Sequence, residues 1–148
     1  MKKSLQPFII ITFLSAFSLM ACNNYGKKVK KEHIEVFYKE GITMEEAQKT
    51  ADLLYEADAN KGAATPKKSF QLTGGTDTIN FRMVVDKAKM ATVGDDTWYM
   101  MGSYLSGSVF KDRPVNVELT NNRFKTINTY HYKKMDTNES AAPADSAQ

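Results

Sequence analysis

The sequence predicts a single α+β domain built as a two-layer sandwich, with elements in the order β-α-β-β-α-β-β. Three observations carry that prediction. The chain has 148 residues, of which 42% are hydrophobic and 25% charged, which is ordinary globular usage in a length suited to one domain. Its hydrophobic period alternates twice between two residues and the helical 3.6 residues. Both ends are unlike the middle, so the folded part is residues 33–134, a stretch able to bury one modest core.

The elements follow in order. Ile34, Val36 and Tyr38 alternate with Glu35 and Phe37 as a short strand that Gly41 ends. Thr43 followed by Glu46 is a capping-box pattern, and Met44, Ala47, Ala51, Leu54 and Tyr55 recur at helical spacing until Asp58–Gly62. A polar loop with Pro66 leads to a second strand at Ser69–Thr73. Gly74-Gly75 then stands between two strand patterns and reads as a tight hairpin; a phosphate-cradling loop would need a helix to follow. The clearest strand sets Ile79, Phe81, Met83 and Val85 against Thr78, Asn80, Arg82 and Val84.

Asp95 and Asp96 are expected to cap a second helix carrying Trp98, Met101, Leu105 and Val109 on one side. Gly102, Gly107 and several serines weaken its propensity, so packing must hold it. Pro114 opens a strand through Val115, Val117 and Leu119, Asn121-Asn122 suits a hairpin turn, and a last strand runs from Phe124 to Tyr132. Right-handed crossovers would place both helices on one face of the sheet. That arrangement resembles the ferredoxin-like plait with an extra C-terminal strand.

The N-terminal 21 residues read as a secretory signal: Lys2 and Lys3 precede an apolar run from Phe8 to Leu19, too short for a comfortable membrane span. The run ends in Leu19-Met20-Ala21-Cys22, which resembles the lipobox of bacterial lipoproteins. The resemblance implies cleavage after Ala21 and lipidation of Cys22, the chain's one cysteine. The alternative is an ordinary cleaved signal that leaves Cys22 a free thiol. Stable anchoring needs two or more acyl chains. Asn23, rather than Asp, after the cysteine resembles outer-membrane sorting in enteric bacteria, and the choice between inner and outer membrane stays open. Removing residues 1–21 takes two lysines away and lowers the formal charge from +3 to +1, so no nucleic-acid partner is expected.

Residues 22–32 (CNNYGKKVKKE) read as a lipidated polar tether, a solvated spacer or a lysine cluster drawn to anionic lipid. Residues 135–148 hold no large apolar side chain beyond Met135 and read as a disordered tail. The tail carries Asn138-Glu139-Ser140, an N-glycosylation sequon. It also holds Asp145-Ser146-Ala147, which looks like the O-glycosylation site of Bacteroidetes envelope proteins; Asp77-Thr78-Ile79 has the same form.

One cysteine and two histidines, His33 and His131, leave no metal-ligand set and no nucleophile triad, so no cofactor and no enzyme activity are expected. Both histidines read as surface residues near the domain ends. The paired acids Glu45-Glu46 and Asp95-Asp96 sit where helix N-termini favour carboxylates. Two features could bind a partner. Tyr99, Met100 and Tyr104 fall off the main stripe of the second helix and form a candidate interface, unless they widen the core or meet the Lys87–Val93 segment. The sheet face without helices carries Gln71, Thr73, Asn80, Arg82, Lys125 and Thr129, with His131 as a further candidate; it is either solvated or a binding face with Arg82 as its candidate contact.

The stretches IEVFYKEGITMEEAQKTADLLYEA, KKSFQLTGGTDTINFRMVV and RPVNVELTNNRFKTI are similar to a small module of uncharacterised bacterial envelope proteins. The resemblance spans about residues 34–128, supports fold and class, and adds no catalytic residue. Together these readings lead to the expectation of a periplasm-facing lipoprotein held on the bilayer through Cys22. Its expected role is a non-enzymatic binding or accessory module for an envelope protein, with a small-ligand carrier as the alternative.

Overall fold

Alternation of apolar and polar side chains and two capped helical stretches give nine elements. In the computed structural model, which describes residues 24–134 apart from Ala63 and Ala91, these are β1 (Lys27–Lys31), β2 (Ile34–Tyr38), α1 (Met44–Ala57), β3 (Lys68–Gly74) and β4 (Ile79–Val84). They continue with α2 (Lys87–Met90), α3 (Asp95–Ser108), β5 (Val115–Thr120) and β6 (Thr126–Tyr130). Cys22, the signal segment, Asn138-Glu139-Ser140 and Ser146 lie outside the described residues.

The six strands form one mixed sheet in chain order, β1-β2-β3-β4-β5-β6. Neighbours β1/β2, β3/β4 and β5/β6 are antiparallel, while β2/β3 and β4/β5 are parallel. The α+β class and the two layers are as the sequence predicts; the strand order is not that of a plait. In the plait a third strand lies between the two that a helix connects. Here α1 and α3 each connect direct neighbours. Local hydrophobic period fixes which face a residue occupies and carries no information about which strand lies beside it.

Register shows how the face is shared. Val36, Phe70 and Met83 are cross-strand partners, as are Leu72, Phe81 and Val117, and all join one buried core with Ala47 and Ala51 of α1 and Trp98 and Leu105 of α3. Both helices therefore cover the same face. The strand pair joined by α1 and the pair joined by α3 run in opposite directions, yet both connections advance the same way across the sheet. The two crossovers must have opposite hands, so one of them is left-handed against a strong general preference. The expectation of two right-handed crossovers is corrected by this geometry. Each helix lies over an outer pair, α1 over β1 and β2 and α3 over β5 and β6.

Residues 27–31 correct a second expectation. The tether contains an edge strand, paired with β2 from Lys27↔Tyr38 to Lys31↔Ile34. Val29 packs on the core while lysines surround it, a common way of blunting an exposed edge. The chain turns onto that edge at Gly26 with φ +96°, where a Cβ would collide with the Tyr38 carbonyl oxygen.

Candidate functional site

The helices stand apart over the outer strands and leave the sheet's middle less covered. An apolar groove of about 790 Å³ opens there. Leu54 near the end of α1 forms one wall, and Trp98 and Met101 of α3 form the other. Phe70 and Met83, direct partners on β3 and β4, make the floor, and Met90 and Val93 close the α2 side. The groove also passes Ser69 and Val84 at the sheet's end and reaches Phe37 and Phe124 on the other face. Its volume falls within the range of small-molecule sites, and most of its lining is apolar.

One rim of the groove is a polar lock. Asp58, the C-cap of α1, takes a 2.6 Å ion pair from Lys68 Nζ and shares a 2.7 Å hydrogen bond with His33 Nε2. Donation from Lys68 and then from His33 holds the Asp58 carboxyl well below the usual carboxylate range. His33 is half-buried with a shielded side chain that pins α1 to the starts of β2 and β3, which corrects the surface reading; His131 is exposed, as expected. Among the described residues no group of three or more His, Cys, Asp and Glu side chains could hold a metal ion.

The helix-free face carries a second network, in which Arg82 on β4 is the hub. It donates to Glu118 at 2.9 Å, Gln71 at 2.6 Å, the Phe124 carbonyl at 2.6 Å and Thr126 at 3.0 Å. An arginine so fully engaged ties β3, β4, β5 and the β5–β6 turn together. Arg82 therefore does not join Tyr99, Met100 and Tyr104, which lie on the helix side. Glu35 on this face is squeezed in a similar way: burial raises its pKa, but Lys28 at 3.0 Å and Lys67 at 3.5 Å outweigh it and leave it lowered.

The predicted aromatic surface on α3 divides in two. Met100 and Tyr104, one helical turn apart, are 59% and 60% exposed. Tyr99 is half-buried, edge-on to Tyr130 at 5.5 Å, with Lys133 Nζ 3.8 Å from its ring centre. Tyr130 in turn donates to Asp95 at 2.8 Å; that bond, with burial, raises the phenol pKa. Asp95 and Asp96 do not cap α3 by their side chains. They occupy its first turn, and Gly94 is the N-cap.

Sequence reasoning missed a three-ring cluster under the helix-free face. Tyr25, Phe37 and Phe124 lie with centroids 5.2 to 5.9 Å apart in edge-to-face pairs. Phe37 was a visible signal, a large aromatic in the polar register of β2. The groove itself had weaker signals, Met90 and Val93 in a short segment that periodicity does not assign.

No helix among the described residues is long and apolar enough to cross a membrane. Neither the curated proteins nor the solved structures contain a match to this chain. One family does match: AF_1994_N, described as a family N-terminal domain, aligns with residues 28–134, from β1 through the end of β6. That span is well over half of the 148 residues, and the chain belongs to this family.

Proposed function

We propose that this chain is a lipoprotein of a bacterial envelope, anchored through Cys22 and facing the periplasm, and that it works as a binding module without catalysis. Its ligand is a small apolar or amphiphilic molecule held in the groove between α1 and α3. The observation that carries this reading is the groove: about 790 Å³ of mainly apolar space whose charged lining residues have structural partners, Asp58 with Lys68, Lys67 with Glu35, and Asp86 accepting from the Ala88 amide at the start of α2. A site that keeps its charges in fixed pairs is suited to holding a ligand rather than moving protons.

Trp98, the chain's single tryptophan, lines the groove and serves as the probe. A doxyl-labelled fatty acid should quench Trp98 saturably, and Met101→Glu should abolish the saturable phase. Linear quenching that is identical in both proteins would remove the ligand reading. A second reading rests on exposed Met100 and Tyr104, which suit contact with an envelope protein. In-cell crosslinking of the full chain beside Tyr104→Glu tests it: a captured partner lost from the variant supports it, and the same capture from both overturns it.

A further inference from the structure

The first residues of the folded part leave across one particular face. Gln71, on β3 and only 1% exposed, donates to the Tyr25 carbonyl oxygen at 2.8 Å, and the Tyr25 ring sits on Phe37 and Phe124. Tyr25 therefore lies over the helix-free side of the sheet, two strands in from the β1 edge. Cys22 is three residues earlier, so covalent reach keeps it within about 11 Å of Tyr25.

Charge divides along the same line. The helix-free face and its rim carry Lys28, Lys30, Lys67 and Arg82 against Glu35 and Glu118, both already ion-paired, while Lys125, next to the Thr126 that bonds Glu118 on this face, alternates away from it and corrects its expected place there. The two long helices on the other side hold Glu45, Glu46, Asp52, Glu56, Asp95 and Asp96; Lys49, Arg113, Lys31 and Lys61 pair with the first four, and Asp95 and Asp96 at the start of α3 carry the remaining negative charge. An anionic surface attracts the first side more strongly than the second, within a screening length of about 8 Å at physiological salt.

We infer that the helix-free face of the sheet lies against the anionic headgroup surface of the bilayer that holds Cys22, with α1 and α3 turned to the water. The inference rests on the anchored-lipoprotein reading above. The occupant of this face is the lipid surface itself. The Tyr25–Phe37–Phe124 cluster lies at that contact, and the groove that reaches Phe37 and Phe124 has one end there. Residues 24–26, which lead onto the β1 edge, act as a short clamp.

The test uses the full chain purified with its lipid and placed in phosphatidylcholine vesicles, with and without phosphatidylglycerol. With Cys22 acylated, an introduced cysteine is the sole free thiol. Spin labels at Lys30→Cys and Lys67→Cys report the helix-free face, and one at Tyr104→Cys reports the helix side. A nickel-chelating lipid should broaden the first two several-fold more than the third when phosphatidylglycerol is present, and high salt should remove that difference while the protein stays on the vesicle. Equal broadening on both sides, or broadening indifferent to phosphatidylglycerol and salt, overturns the docked face and leaves the anchor standing. An intact mass showing Cys22 without lipid, with no binding to vesicles, overturns both.

Discussion

Helices α1 and α3 have the same length, 14 residues each, and equivalent stations over an outer strand pair, yet they are held by different means. α1 is specified locally. Thr43 accepts from the Glu46 amide at 3.1 Å while Glu46 accepts from the Thr43 amide at 2.8 Å, a complete capping box. Glu46 also pairs with Arg113, and Asp58 closes the other end on Lys68 and His33. α3 has no side-chain N-cap and carries Gly102 and Gly107 within it. Its hold is the close approach of Gly102 to β5, where an added Cβ would come 2.6 Å from the Val115 carbonyl oxygen. One helix is kept by polar groups at its ends, the other by contact at its middle. A protein can therefore place two similar helices with unrelated sequence devices, and only the first kind is readable as a motif.

The largest effect should come from breaking the α3 contact. Gly102→Val adds helix propensity but drives a branched side chain into the β5 backbone, so overpacking wins and stability should fall by about 3 kcal/mol. Thermal unfolding followed by circular dichroism checks this. A variant as stable as wild type would mean that α3 can lift from β5 without cost, and the contrast with α1 would dissolve.

A smaller effect is expected at the end of α1. Asp58→Asn keeps an oxygen acceptor but removes the charge that Lys68 and His33 address, and should cost roughly 1–2 kcal/mol near neutral pH. The sign with pH follows from the depressed pKa of Asp58. A carboxylate depressed in the folded state contributes stability above its unfolded value, near 3.9, and loses that contribution as pH falls through the folded value. The gap between wild type and variant should therefore hold down to about pH 5 and narrow below about 4. Denaturant midpoints measured across that range decide it; a gap that widens in acid would show that the lock is not ionic.

How much of this was legible follows the same division. The capping box, the strand at Ile79 and the hairpin after Gly74 depend on neighbours in sequence, and each stands where the residues predict it. Edge strand β1 was hidden because its only apolar residue is Val29, and its lysines look the same in a tether and on a sheet edge. The groove was hidden for a different reason. Its walls come from the end of α1, the facing residues of β3 and β4, the short α2 and the start of α3, which no single period joins. Arg82 was read as a candidate contact on the open face, since pattern alone does not show that Glu118, Gln71 and Phe124 occupy its donors.

The smallest expected effect sharpens the comparison within α3 itself. Ser106 is 1% exposed, and among the described residues its hydroxyl has no hydrogen-bond partner. A buried hydroxyl left unpaired carries a desolvation cost that alanine does not, and alanine also has the higher helix propensity. Ser106→Ala should therefore be neutral or stabilising by up to about 1 kcal/mol, the opposite sign from Gly102→Val one turn earlier. If Ser106→Ala instead lowers the unfolding midpoint, the hydroxyl has a partner in the folded protein, and α3 is held by a polar contact as α1 is. If it raises the midpoint, the middle of α3 depends on close packing, and its serines are tolerated because Gly102 sets the distance to the sheet.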